Sequence, residues 1–121
     1  MIKKKTLVLG ASLKPMRYSF MAINRLIQKQ QPVVAIGLKS GEIAGVQIDT
    51  GMPAYQDIDT VTLYLNAQRQ QGYYDYLIGL KPKRVIFNPG TENPEFYKLL
   101  EKAEIEVDVA CTLVLLGTNR Y

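Results

Sequence analysis

Short β-branched runs alternating with stretches of helical periodicity most limit what this chain can fold into. Lys5–Leu9, Val33–Ile36, Thr60–Leu65, Arg84–Phe87 and Ile105–Val107 read as strands. Between them, Phe20, Ile23, Leu26 and Ile27 recur at helical spacing. So do Tyr73, Tyr76, Leu77 and Leu80, and later Phe96, Leu99, Leu100 and Ala103. Asn66 can cap the second of these helices. Asn93-Pro94-Glu95 opens the third with a cap residue, a proline at the first position and an acid facing the positive helix end. Thr112–Leu116 is a final apolar segment of helical character. Strands separated by helices of this length imply parallel βαβ units with right-handed crossovers. The expected fold is therefore a three-layer α/β domain with a mostly parallel sheet of five or six strands, the count depending on a short strand at Val46–Ile48. At 121 residues, with no internal repeat, linker or low-complexity tract, residues 1–121 read as one domain.

Several chemistries are excluded by residue type. The chain has no histidine and one cysteine, Cys111. Ser-His-Asp and Cys-His catalysis, a phosphohistidine and an ordinary zinc site all lack their essential residues. An enzyme would have to use carboxylates, Lys or Tyr, and no titratable pair is evidently set up for acid–base work. Asp57 and Asp59 fall on one side of an extended segment and read as exposed. Cys111 cannot form an internal disulfide, and within Ala110–Leu116 it reads as a small packing residue. The net charge of +4 is spread along the chain, and Lys3-Lys4-Lys5 is its one tight basic run. That run reads as a solvated lead-in to the first strand, the other reading being a tether to nucleic acid or membrane. No aromatic and basic interleaving supports nucleic acid, and no apolar stretch is long enough to span a bilayer. A cytoplasmic protein is expected, without nucleic-acid or membrane partners.

In open α/β sheets ligands bind beyond the carboxyl ends of the strands, where strand order reverses. Four loops then matter: 10–18, 37–45, 64–66 and 88–91. In the first, Gly10 permits a tight turn, and Ser12, Lys14, Arg17 and Ser19 cluster donors just before a helix whose free amides favour an anion. Plain NAD fits poorly. Its fingerprint Gly-x-Gly-x-x-Gly is broken by Ser12 and Pro15, and Lys39 stands near the position where an acid would hold the ribose hydroxyls. A ribose carrying an extra phosphate, as in NADP or coenzyme A, fits better.

The pattern Val8-Leu9-Gly10-Ala11-Ser12, with Pro15, Arg17 and Ser19, resembles the first loop of the coenzyme A-binding domain family. These are small Rossmann-like proteins similar to the CoA-binding domain of the succinyl-CoA synthetase alpha subunit. The resemblance continues through 41–45, Asp57-Ile58, Asn88-Pro89-Gly90 and 105–111. It implies that Gly10, Ala11, Ser12, Arg17 and Ser19 hold the pyrophosphate of CoA or an acyl-CoA, with Lys14 a further donor in the same loop. Gly37, Leu38 and Lys39 would border the adenosine, Tyr64 and Leu65 the adenine side of the crevice, and Asn88, Pro89 and Gly90 the pantetheine arm. The chain departs from the family pattern at Tyr18, usually proline, at Phe20, usually tyrosine, at Asn88, more commonly glutamine, and in a shorter loop after the second strand.

The resemblance implies a binding module with a small-molecule ligand and no catalytic residues. Two other readings are an NADP-binding oxidoreductase or redox sensor, and an interaction subunit whose nucleotide site has degenerated. Tyr73, Tyr74 and Tyr76 could stack a base but, at helical spacing, read as core or interface. Together with Thr112–Leu116 they would either cover the sheet or offer a homodimer surface.

Overall fold

A computed structural model describes residues 2–121. Its sheet has seven strands, one or two more than expected: β1 (Thr6–Ala11), β2 (Val33–Gly37), β3 (Gly41–Ile43), β4 (Val46–Asp49), β5 (Thr60–Leu63), β6 (Arg84–Phe87) and β7 (Glu106–Val109). They lie in the order β3-β4-β2-β1-β5-β6-β7, all neighbours parallel except the β3–β4 hairpin. The extra strand is Gly41–Ile43. Three residues carry too little periodicity to announce a strand, and Glu42 and Gln47 pair only because Ala44 and Gly45, both at positive φ, reverse the chain between them. β2 is thus followed by a hairpin and a coil segment, and the short strand expected at Val46–Ile48 is its second arm, β4.

Helices fill the other crossovers. α1 (Tyr18–Gln28) follows β1; α2 (Ala67–Gln70), a 3₁₀ turn (Gln71–Tyr73) and α3 (Tyr74–Gly79) follow β5; α4 (Pro94–Lys102) follows β6; α5 (Thr112–Gly117) follows β7. The expected caps are present: the Asn66 side chain accepts from the Arg69 amide at 2.9 Å, and that of Asn93 from Phe96 at 3.3 Å. Alternation within strands divides the core in two. Leu7, Leu9, Val61, Leu63, Val85 and Phe87 face Leu77, Phe96 and Leu100 of α3 and α4. Val8, Ala35, Ile48 and Ile86 face Ile23 and Leu26 of α1 and Leu116 of α5. Each fully buried Leu, Val, Ile or Phe side chain among these contributes about 1.5–3 kcal/mol of burial free energy. Ile27 and Leu99, at the margins of their helical stripes, are partly exposed.

The tyrosine-rich segment is packing material. Tyr74 stacks on Phe96 with centroids 4.3 Å apart, and the Tyr76 hydroxyl donates to the Pro53 carbonyl at 2.6 Å, tying α3 to the 50–59 segment. On the opposite face Tyr121 is buried against the Arg84 guanidinium, 4.7 Å from its ring centroid, and its hydroxyl bonds Thr6. Arg84 also donates to the Thr60 hydroxyl and lies 3.6 Å from Asp108.

Candidate functional site

Strand order reverses at β1, between β2 and β5, so the crevice opens above the carboxyl ends of those strands. The turn out of β1 is built by Gly10. Its φ of +96° coincides with the register shift between Leu9 and Ala11, and a Cβ there would stand 3.0 Å from the Tyr64 carbonyl group and the Leu65 side chain. Gly37 is equally constrained, since a Cβ would lie 2.4 Å from the Ala11 oxygen. Both glycines allow strand ends to close on each other.

Beyond Gly10 the loop is self-braced. The Ser12 amide donates to the Ser19 hydroxyl at 3.1 Å, and the Ser12 hydroxyl accepts from the Lys14 amide at 3.1 Å. Ser19 is buried; Lys14 and Arg17 are exposed. Arg17 occupies the cap position of α1 with extended backbone and no capping side-chain bond, and the first turn carries no acidic residue. The amides at the start of α1 therefore lack both carbonyl partners and a neutralising carboxylate.

Next to this helix end lies a cavity of about 180 Å3, lined by Tyr18, Tyr64, Asn88, Pro89, Cys111 and Leu113. Its floor is rigid. Asn88 donates through Nδ2 to the Thr62 hydroxyl (2.7 Å) and the Leu63 carbonyl (2.9 Å), and its Oδ1 accepts from the Thr112 amide (2.9 Å). The Thr62 and Thr112 hydroxyls bond each other at 2.8 Å. Burial pushes the Tyr64 phenol up to about 12, so it stays protonated at neutral pH. A second bracket holds the adjoining loops: Gln70 donates to the Leu65 and Thr91 carbonyls at 2.8 Å and accepts from Asn93 at 2.9 Å.

The expected site residues thus fall into groups. Gly10, Ala11, Ser12, Lys14, Arg17 and Ser19 form one loop at the α1 terminus. Tyr64 shares the cavity with Asn88 and Pro89, whereas Leu65 packs with the core of the opposite face. The Asn88 amide is fully engaged inside the fold, and Gly90, at φ +93°, stays exposed beyond it. Leu38 and Lys39 are exposed past β2 and do not line the cavity. Three cavity residues were not among the expected ones: Tyr18, Cys111 and Leu113. Tyr18 had a signal in its departure from the family's proline, and Cys111 in closing the 105–111 stretch that carries the resemblance; Leu113 had none. Cys111, read from its apolar neighbours as packing, is instead half-buried in the cavity wall.

A wider cleft of about 460 Å3 lies at the other ends of the strands, lined by lysines and by Asp57 and Asp59. Four of its charges are engaged by the fold: Lys3 and Lys5 donate to the Gln30 and Gln56 carbonyls, and Asp59 accepts from Thr60 at 2.7 Å and lies 4.0 Å from Lys83. Among the described residues no cluster of His, Cys, Asp or Glu could hold a metal, and no helix is long and apolar enough to cross a membrane.

A family model for the CoA binding domain matches residues 4–117, nearly the whole chain. The chain belongs to the CoA binding domain family. A crystal structure of an uncharacterized protein is 44% identical over 100% of both chains, with a TM-score of 0.97. Cell-free ID.343 from Thermus thermophilus is 21% identical, covering 98% of this chain and 91% of its own, with a TM-score of 0.86. A hypothetical protein from Pyrococcus horikoshii OT3 is 24% identical over 96% and 83%, with a TM-score of 0.85. The last two share the Rossmann-like fold. A search of curated proteins finds no match to the chain. Membership in this family supports a coenzyme A-binding role.

Proposed function

We propose that the chain is a coenzyme A or acyl-CoA binding protein without catalytic machinery of its own. The observation that carries the reading is the α1 terminus, which carries no acidic residue, is flanked by exposed Lys14 and Arg17, and adjoins an apolar cavity. That donor set suits a pyrophosphate. Arg17 offers a planar fork of donors, Lys14 a point charge, and the α1 amides a fixed positive end. The Ser12 and Ser19 hydroxyls hold the loop shape and each keep a proton to donate. Leu38 and Lys39 border the adenosine side, with Lys39 available to the ribose phosphate, and Pro89 and Gly90 border the pantetheine arm. When bound, the cofactor supplies the thiol or thioester; the protein's part is to hold and orient it.

Thermal unfolding with CoA, acetyl-CoA, NADP, NAD and ATP in parallel tests this. A ligand at a hundredfold excess over its Kd stabilises the native state by about 2.7 kcal/mol. With an unfolding entropy of about 2.1 cal/mol/K per residue, that is a rise in Tm of roughly 10 °C. CoA and acetyl-CoA should produce it; a shift with NADP and none with CoA refutes the reading.

A further inference from the structure

We propose that the cavity between Tyr18 and Leu113 receives the acyl end of short-chain acyl thioesters of coenzyme A, up to about four acyl carbons, and excludes longer chains. This rests on the coenzyme A reading and names the ligand class of that same site. Three observations carry it. Position is the first: the cavity runs from Tyr18, the first residue of α1, where the anion would sit, to Cys111 and Leu113 at the start of α5. A pantetheine arm leaving the anion therefore crosses the ends of β5 and β6 before its sulfur meets the Leu113 end. Polarity is the second. Both nitrogen and oxygen of the Asn88 amide are committed, and the Thr62 and Thr112 hydroxyls are engaged with it or with each other. The floor therefore has little left to satisfy the two amides of a pantetheine arm, and burying those unpaired would be costly. An apolar occupant at the sulfur end carries no such penalty.

Size is the third. An apolar cavity of about 150 Å3 holds a six-carbon ring. At about 180 Å3 this one takes little more than that. The thioester sulfur and carbonyl occupy part of the space, leaving room for roughly three or four carbons. The Asn88–Thr62–Thr112 bracket, anchored to β5, β6 and α5 at once, prevents the floor from retreating before a longer chain.

The test is calorimetric affinity for CoA and for its acetyl, butyryl, octanoyl and palmitoyl thioesters. Each methylene buried should tighten binding about fourfold up to butyryl, with octanoyl and palmitoyl weaker than butyryl. In Leu113→Trp, which fills the cavity, the ratio of butyryl-CoA to CoA affinity should collapse to about one. In Leu113→Ala, which enlarges it, the optimum should move to a longer chain. A series in which CoA binds but chain length makes no difference, or in which palmitoyl is best, overturns this proposal and leaves the coenzyme A reading standing. An optimum unchanged in Leu113→Ala likewise overturns it. Failure of every thioester and of CoA itself to bind overturns both.

Discussion

Asn88 is the residue on which the architecture of the site depends most directly, and Asn88→Ala measures that dependence. The side chain is 3% exposed and makes three hydrogen bonds, to the Thr62 hydroxyl, the Leu63 carbonyl and the Thr112 amide. A buried hydrogen bond contributes about 1 kcal/mol net, and a partner left unsatisfied costs about 1–3 kcal/mol. Two effects limit the loss. The Thr62 hydroxyl keeps Thr112 as a partner, and water can reach the orphaned groups through the adjoining cavity. Those favour the lower end, so the expected loss is about 3 kcal/mol in all. For 121 residues the unfolding entropy is roughly 0.25 kcal/mol/K, so Tm should drop by about 12 °C. Urea denaturation followed by circular dichroism gives the free energy directly, with the slope unchanged if the native state stays compact. The companion Asn88→Asp should be worse at neutral pH, because a buried carboxylate has no proton to give Thr62 or Leu63. Burial raises the folded pKa of that carboxylate, so stability should return as pH falls. A loss below about 1 kcal/mol in Asn88→Ala would refute the reasoning that this amide braces the cavity floor.

Other expectations follow from the same contacts. Arg17→Ala should weaken CoA binding by about 1.5–3 kcal/mol in titration calorimetry, the range for a charged hydrogen bond, with Tm of the free protein unchanged because Arg17 is exposed; equal affinity would remove Arg17 from the phosphate loop. Gly10→Ala meets Tyr64 and Leu65 at 3.0 Å as well as an unfavourable φ, and should cost more than Gly45→Ala, which meets only the φ, about 1–2 kcal/mol. Denaturant midpoints in the reverse order would contradict the crowding at the β1 turn. Burial pushes the Tyr64 phenol up to about 12 and, with nearby Tyr73 and Asp49, does the same to Tyr76, against about 10 unfolded. Both favour the protonated form in the fold, so their contribution is complete below pH 10 and is lost as pH rises from 10 to 12. Tm against pH should fall steeply there, and Tyr64→Phe should shallow the fall.

The helices and every strand but the three-residue β3 were legible because their signals are local. Lys5–Leu9 and Arg84–Phe87 are apolar runs of strand length, and Asn93-Pro94-Glu95 states a helix start in three residues. The anion loop was legible for the same reason, since Gly10, Lys14 and Arg17 lie within eight positions ahead of one helix. Cys111 was misread because neighbouring side chains in sequence say nothing about which of them borders a void.

What the amino-acid sequence determined by itself is thus the α/β alternation, the glycine turn after β1 and the cluster of cations before α1, all products of backbone preference and periodicity over a few residues. The tertiary structure alone decided that Gly41–Ile43 joins the sheet, because a three-residue strand exists only when a partner completes its hydrogen bonds. It decided that Tyr64 and Leu65, adjacent in sequence, serve opposite faces of the sheet. It also decided that Asn88 is spent on bracing, since its partners Thr62 and Thr112 lie 26 and 24 residues away and meet it only when β5, β6 and α5 have packed.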